Sequence, residues 1–464
     1  MNYPVWDVPF LGAGLVVAII AIIHVLISHI AVGGGAFLLV TELWSKRQPD
    51  GDRIRNWLHR YATFFIVLTT VFGAMTGVGI WFSIQLANPE ATSLLIHQYV
   101  FAWATEWVAF IGELTVVYLY YYGWSTNPRR LQVFLAGAYF VIAWISLVII
   151  NGILTFMLTP GTWTLASPSV AAGFFNPGYF PSLLLRTVLM FLVAGLSALV
   201  VASRIEDLDL KERVIRFAAK WVVPAALLAP LLAVWYWTTL PSNTVRLVQA
   251  GVVGLAGGRL EVMSRAIWLA GMVGVFLVLA TVVVALRPRA LTTSAAGALL
   301  LTALLGISGA EFFREMGRKP FVVRDVLYSN NLWMKDADPS TLAKPFLSRA
   351  KWHPPTNTAE MEHGAWIFRL QCASCHTRDG YRAMNQRTTG WSSTFGYRWF
   401  TTMHQQGVMP PFQGTDKDRA ALTSYILSFQ GKQVSPTQVL ADVRAEAART
   451  LATQTAPTPP EVKQ

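Results

Sequence analysis
Two thiols and an imidazole stand together late in the chain, in Gln371-Cys372-Ala373-Ser374-Cys375-His376. Cys-x-x-Cys-His puts both thiols on one turn, where each can add to a haem vinyl group, and sets a histidine beside them for the proximal side of the iron. A zinc site needs further ligands, and the chain has no cysteine besides these two. A redox dithiol of the thioredoxin kind wants a βαβ context, and no such pattern is visible. The expectation is one covalent haem c. Upstream, Gly364 and Phe368 precede Cys372 in steps of four on one helix face, small and aromatic, suited to packing on a second helix. The sixth ligand is sought among Met384, Met403, His404 and Met409. Met409 is preferred, because the prolines of Gly407-Val408-Met409-Pro410-Pro411-Phe412 stiffen the loop that presents its sulfur. An amphipathic closing helix is expected at about Asp416–Phe429. A thioether ligand favours a raised potential, suited to electron transfer.

A second set of chemical groups lies in apolar surroundings. A charge at mid-bilayer costs about 2.5–3.5 kcal/mol on insertion scales, so each one calls for a reason. Glu106 and Glu113 lie seven residues apart, hence on one helix face, and read as a proton path or a haem-facing pair. His24 lies at a depth that suits a haem ligand. His29, five residues on, faces another way and reads as a hydrogen-bonded core histidine. Arg186, near the outer end of a span, is placed to bind haem propionates or to snorkel. Glu261 and Arg265 form an expected i,i+4 pair. Glu311, Arg314, Glu315 and Arg318 cluster where the last span ends, a constellation fit for a haem edge.

The elements that position these groups follow from composition. Of 464 residues, 54% are apolar and 13% charged, against ~25% charged in soluble domains, so the chain is a polytopic membrane protein with a soluble attachment. The net charge of +12 then belongs largely to topogenic loops and does not call for nucleic acid. Since ~20 helical residues span the hydrocarbon, eight spans are expected, at about 11–43, 61–86, 98–123, 131–157, 182–203, 217–240, 262–286 and 291–312. Val245–Gly258 reads as an interfacial or re-entrant piece. Gly33-Gly34-Gly35 permits close helix approach. Alternate loops hold fourteen basic residues against two in the others, which puts the N-terminus and everything after about residue 313 outside the cytoplasm. Haem attachment to Cys-x-x-Cys-His requires that same side. The fold expected is all-α: about eight transmembrane helices plus a small helical cytochrome c domain. The domains are 1–325 in the membrane, a periplasmic linker 326–357, the haem domain 358–432, and a tail 433–464 with a weak helix near Gln438–Ala452.

Several of these residues carry a resemblance to the first subunit of cytochrome bd quinol oxidases, over about residues 10–325. Glu315-Met316-Gly317-Arg318-Lys319-Pro320-Phe321 is similar to the family's Glu-x-Gly-Arg-Gln-Pro-Trp element, whose Glu ligates a high-spin haem. His24 falls where the family has its first-span haem histidine. Thr76-Gly77 and Asn151-Gly152 resemble its second- and fourth-span motifs, and Ala109-Phe110-Ile111-Gly112-Glu113 a further one. Glu106 resembles the companion Glu of the proton route, one position out of register. The terminal domain resembles class I cytochromes c. The resemblance implies haem b and/or haem d, one or two, in a bacterial inner membrane. It implies iron ligands at His24 and Glu315, Arg318 beside the haem, and proton transfer by Glu106 and Glu113. Partner membrane subunits, and quinol, cytochrome c or another haem protein as redox partner, are implied too. The chain departs from the pattern at Arg186, which stands where the family has a histidine for its low-spin haem. Met263 echoes the opposite ligand, and the loop before the seventh span is short. The function expected is a bd-like terminal oxidase reducing oxygen to water. The alternatives are a non-oxidase electron-transfer subunit of a larger respiratory complex, or a membrane scaffold tethering a cytochrome c.

Overall fold
The computed structural model describes residues 3–252, 261–353 and 359–455. They form two compact units: 18–82 with 92–318, and 1–17 with 83–91 and 319–464.

The larger unit is helical. Its elements are α1 (Ala13–Ser45), α2 (Gly51–Ile66), α3 (Ala74–Ala87), α4 (Pro89–Gln98), α5 (Val100–Tyr122), α6 (Arg129–Phe156) and α7 (Val170–Phe174). There follow α8 (Tyr179–Ala202), α9 (Leu208–Thr238), α10 (Ser242–Val252), α11 (Glu261–Leu286) and α12 (Thr293–Gly317). The end residues of α1, α3 and α4 belong to the smaller unit. Seven helical stretches among the described residues are long and apolar enough to cross a membrane: α1, the α2–α3 rod, α5, α6, α8, α9 and α12. In α11 the described apolar part is Gly271–Leu286. All eight expected spans end within about five residues of a helix end, and six also start within a few residues of a helix start. The second and sixth begin earlier than hydropathy suggests, at Gly51 and Leu208, because their first turns are polar and amphipathic. Of the expected interfacial piece at Val245–Gly258, the part to Val252 is helical in α10, and 253–260 lie outside the described residues. The side chains of Glu261, Met263 and Arg265 lie outside them too.

Close helix contact is set by small residues, as lipid supplies no hydrophobic drive between spans. Gly33, Gly34 and Gly35 each meet a different neighbour. A Cβ on Gly33 would lie 2.1 Å from the Met190 carbonyl of α8. One on Gly34 would lie 2.5 Å from the Phe65 ring of α2, and one on Gly35 2.6 Å from the Tyr139 ring of α6. Phe37, fully buried, then meets Trp57, Tyr61, Phe217 and Trp221. Between α2 and α3 the rod contains a π-helical segment, Val67–Gly73. Thr69 and Thr70 donate there to the Phe65 and Ile66 carbonyls at 2.9 and 2.7 Å, taking up backbone acceptors that the wider turn displaces.

The smaller unit holds a two-stranded antiparallel hairpin, β1 (Phe321–Val323) and β2 (Leu327–Tyr328). Its helices are α13 (Pro339–Leu342), α14 (Glu360–Gln371), α15 (Met384–Arg387), α16 (Ser393–Thr402), α17 (Asp416–Ser428) and α18 (Pro436–Thr455). One core joins Phe321, Tyr328, Leu332, Phe346 and Leu347 to Ile367, Phe368, Met384, Phe400, Phe412 and Leu422. The Pro-punctuated stretch after residue 320 therefore contributes apolar side chains to the same core as the Cys-x-x-Cys-His helix. α18 docks through Val439, which is fully buried against Tyr397 and Ala420.

Candidate functional site
The haem-attachment candidates sit at a helix end. α14 stops at Gln371, and the amides of Cys375 and His376 both close on the Cys372 carbonyl, at 3.0 and 2.9 Å. The two thiols thus share one turn. The His376 ring has its Nδ1 3.2 Å from the Arg382 carbonyl, a contact of the kind that orients an imidazole for metal binding. Burial, then the neighbouring Cys375, pushes the Cys372 thiol up to about 12.

The helix that carries the motif is crossed by α17. A Cβ on Gly364 would lie 2.3 Å from the Ala421 carbonyl, so only glycine permits this approach. Phe368 packs on Tyr425 and Phe429, with ring centroids 5.8 and 5.7 Å away. Met409 lies in the non-helical stretch between Gly407 and α17, half-buried. That loop is tied to the motif by Gln371. Its amide donates to the Gln413 carbonyl at 2.6 Å, and its carbonyl oxygen accepts the Gln413 N–H at 3.0 Å. Met384 is buried in the core, and Met403 and His404 lie in a 3₁₀ turn. Donor set and tether together fit an iron porphyrin held by two thioether bonds, His376 and Met409. The Gln371 clamp was not anticipated, since nothing local distinguishes a helix-terminal glutamine.

Asp418 anchors this arrangement. It is 1% exposed, and its Oδ2 accepts from the Phe346 and Thr415 amides at 2.9 and 2.8 Å and from the Thr415 hydroxyl at 2.8 Å. His363 Nε2 lies 2.7 Å from Oδ1. Burial pushes this carboxyl up, but the bonds from His363, Phe346 and Thr415 outweigh it and hold the group below the usual range.

Residues 7–14 also reach the attachment loop. The Gly14 amide donates to the Ser374 carbonyl at 3.2 Å, and the Tyr381 amide to the Phe10 carbonyl at 2.9 Å. Gly380 lies so close that a Cβ there would be 2.0 Å from the Phe10 carbonyl oxygen. Beside this clasp is a solvent-open cleft of about 510 Å³, lined by Trp6, Glu90, Asn330, Arg369 and Ser374 among others.

In the membrane unit the candidates fall into separate groups. The His24 Nδ1 lies 3.0 Å from the Thr76 hydroxyl, and its ring rests on Gly77, where a Cβ would be 3.2 Å from Cε1. His24 also meets the Gly73 backbone at the end of the π segment. A ring held at Nδ1, against a side-chain-free edge, fits a ligand to haem iron. Glu106 accepts from the Ser146 hydroxyl of α6 at 3.4 Å, and Glu113 also interacts with Ser146 and with Glu106. Ser146 thus stands beside the two carboxylates that sequence spacing had put on one face, hydrogen-bonded to Glu106. It escaped notice because it lies on another helix.

Arg186 is buried and pairs with Glu311 at 2.8 Å, and Arg314 reaches the same carboxylate at 2.9 Å. A guanidinium stays protonated and cannot ligate iron, so Arg186 does not fit the place of a low-spin haem ligand. Glu315 is held by Arg318 through both oxygens, at 2.5 and 2.6 Å, and Arg318 also lies 3.6 Å from the Met157 sulfur. His29 turns Nδ1 to the Val25 carbonyl at 2.6 Å, as a buried core histidine should. Among the described residues no three or more His, Cys, Asp or Glu side chains converge as for a bare metal ion.

Residues 359–426 match the family described as cytochrome C oxidase, cbb3-type, subunit III. The bd oxidase from Geobacillus thermodenitrificans, a solved structure, superposes with a TM-score of 0.59 at 14% identity, covering 68% of this chain and 90% of that one. No curated protein sequence matches. The chain is therefore a helical protein with multiple membrane-spanning helices, similar in fold to a bd oxidase, with a smaller C-terminal helical region similar to the family described as cytochrome C oxidase, cbb3-type, subunit III.

Proposed function
We propose that this chain is a haem-bearing redox subunit of a respiratory membrane complex, a bd-like terminal oxidase that reduces oxygen to water. Residues 358–432 are its cytochrome c domain, 1–325 its membrane domain, 326–357 the join, and 433–464 a tail. The observation that carries the reading is the Gln371 clamp, which ties the Cys372-Cys375-His376 turn to the Met409 loop. Cys372 and Cys375 bind the haem c covalently, His376 and Met409 take its iron, and the Arg382 carbonyl orients His376. In the membrane, haem b and/or d, one or two, would be held at His24 and at Glu315, with Arg318 neutralising that carboxylate and Arg186 on the outer side. When bound, these porphyrins supply one-electron transfer and oxygen chemistry. The protein's part is to orient the ligands, exclude water and deliver protons. Glu106 and Glu113 pass protons through Ser146, since a hydroxyl both accepts and donates. The excess of basic residues in alternate loops supports a bacterial inner-membrane site with the N-terminus and haem domain periplasmic. Other membrane subunits, and quinol or a haem protein such as cytochrome c, are the partners.

The test is the reduced-minus-oxidised spectrum and haem count of the purified full chain. A c band with a b or d signal supports the reading, and a c band alone overturns it in favour of a tethered cytochrome. One observation favours a second reading, electron transfer without oxygen chemistry. Arg186 is spent on Glu311 where the resembled family relays electrons through a histidine-bound haem. Rapid oxygen uptake with reduced cytochrome c would exclude it.

A further inference from the structure
We propose that the membrane unit binds a carboxylate carried by an apolar molecule, at a cluster formed by Arg186 of α8, Tyr236 of α9, and Glu311 and Arg314 of α12. The Glu311 carboxylate is shared by the two guanidiniums, at 2.8 and 2.9 Å, and none of these three side chains is more than 17% exposed. His29 of α1 and Tyr236 lie within electrostatic reach of Arg186 and Glu311. Two positive charges thus face one negative. The neighbouring Glu315–Arg318 pair is neutral in itself, so it leaves the surplus in place. A surplus charge away from water is costly unless something compensates it.

The hydrogen-bonding deficit points the same way. Arg186 Nε, Arg314 Nη1, the Tyr236 hydroxyl and His29 Nε2 are buried and have no hydrogen-bond partner among the described residues. Water would satisfy the donors but leave the charge. A carboxylate does both: one negative charge, and two oxygens that accept guanidinium N–H bonds in a fork, with the phenol O–H as a further donor. The surrounding spans are apolar, so the ligand that brings this carboxylate should carry an apolar body. Two sources share that chemistry: the propionate edge of a membrane porphyrin, and a fatty acid from the bilayer. The porphyrin source rests on the proposed function, and the fatty-acid source does not.

Isotope-edited infrared spectroscopy of the purified full chain separates them. In one arm the haems are labelled with carbon-13 at the propionate carboxyls, and in the other carboxyl-labelled oleate is added to unlabelled protein. Arg314→Gln should move the labelled carboxylate band in one arm, and in the oleate arm lower retained label about tenfold or more, as for loss of a charge-assisted bond. Tyr236→Phe, which leaves every ion pair in place, should move the same band less and guards against misfolding of the first variant. A response in the propionate arm supports the site with a porphyrin as its occupant. A response confined to oleate supports the site with a lipid occupant, and if no membrane haem is then found it sinks the haem reading while this one stands. Labelled bands that neither variant moves in either arm overturn the proposal, whatever the haem content.

Discussion
Replacing Asp418 by alanine tests the anchoring of the haem domain. The carboxylate is 1% exposed and is the acceptor for two backbone amides, Phe346 and Thr415, besides the Thr415 hydroxyl and the His363 ring. A buried donor left without an acceptor costs ~1–3 kcal/mol, so losing two acceptors costs about 2–6 kcal/mol, centred near ~4. For a unit of this size 1 kcal/mol moves the melting point by about 2–4 °C, so the haem domain should melt roughly 8–16 °C lower. The assay is thermal melting of the full chain, followed by loss of the sulfur-to-iron absorption band expected of the Met409-ligated haem c, so that only this domain is read. The pH dependence has a defined sign. The folded-state pKa lies below that of the unfolded carboxyl, so its stabilisation is complete above the usual aspartate range and is lost as pH falls through the folded value. Wild type and variant should therefore converge in acid and separate toward neutrality. A variant melting within about 2 °C of wild type at neutral pH, less than ~1 kcal/mol, would refute the reasoning.

Other outcomes follow from the same geometry. Met409→Leu should keep the haem covalently bound but lower its potential and abolish the sulfur-to-iron absorption band, as read by redox titration; an unchanged potential assigns the ligand to Met403 or His404. Gly380→Ala drives a Cβ to 2.0 Å from the Phe10 carbonyl and should cost about 1–3 kcal/mol of haem-domain stability, with melting followed in the sulfur-to-iron band as the check. His24→Ala should remove a b or d signal and leave the c band at full height, whereas loss of both together would mark a folding defect.

Legibility from sequence tracked the range of the interaction. Spans, the attachment motif, the Gly364–Phe368 packing face and a closing helix, observed at Asp416–Ser428, were legible because each is written in local periodicity or spacing. What escaped depends on partners distant in the chain. Ser146 beside two carboxylates, the Gln371–Gln413 clamp and the Arg186–Glu311 pair have no periodic signature, and each joins residues on different elements. The weak helix expected near Gln438–Ala452 spans Pro436–Thr455, docked by Val439 with Leu440 and Val443 beside it and by the bond from Ser393 to Asp442. The π segment over Val67–Gly73 was invisible for another reason: its threonines stabilise the wider turn through back-bonds that an ordinary helix also accepts.

The clasp between Phe10, Gly14 and the loop from Ser374 to Tyr381 has a bearing on biogenesis. The stretch containing Phe10 is made before the described spans, yet the loop it pairs with is made only after them. Such a contact closes late and slowly, since its loop entropy must be met before any reward. Crowding that early stretch, for instance with an affinity tag placed directly on it, should therefore surface as a maturation defect of the cytochrome, with insertion of the bundle left intact.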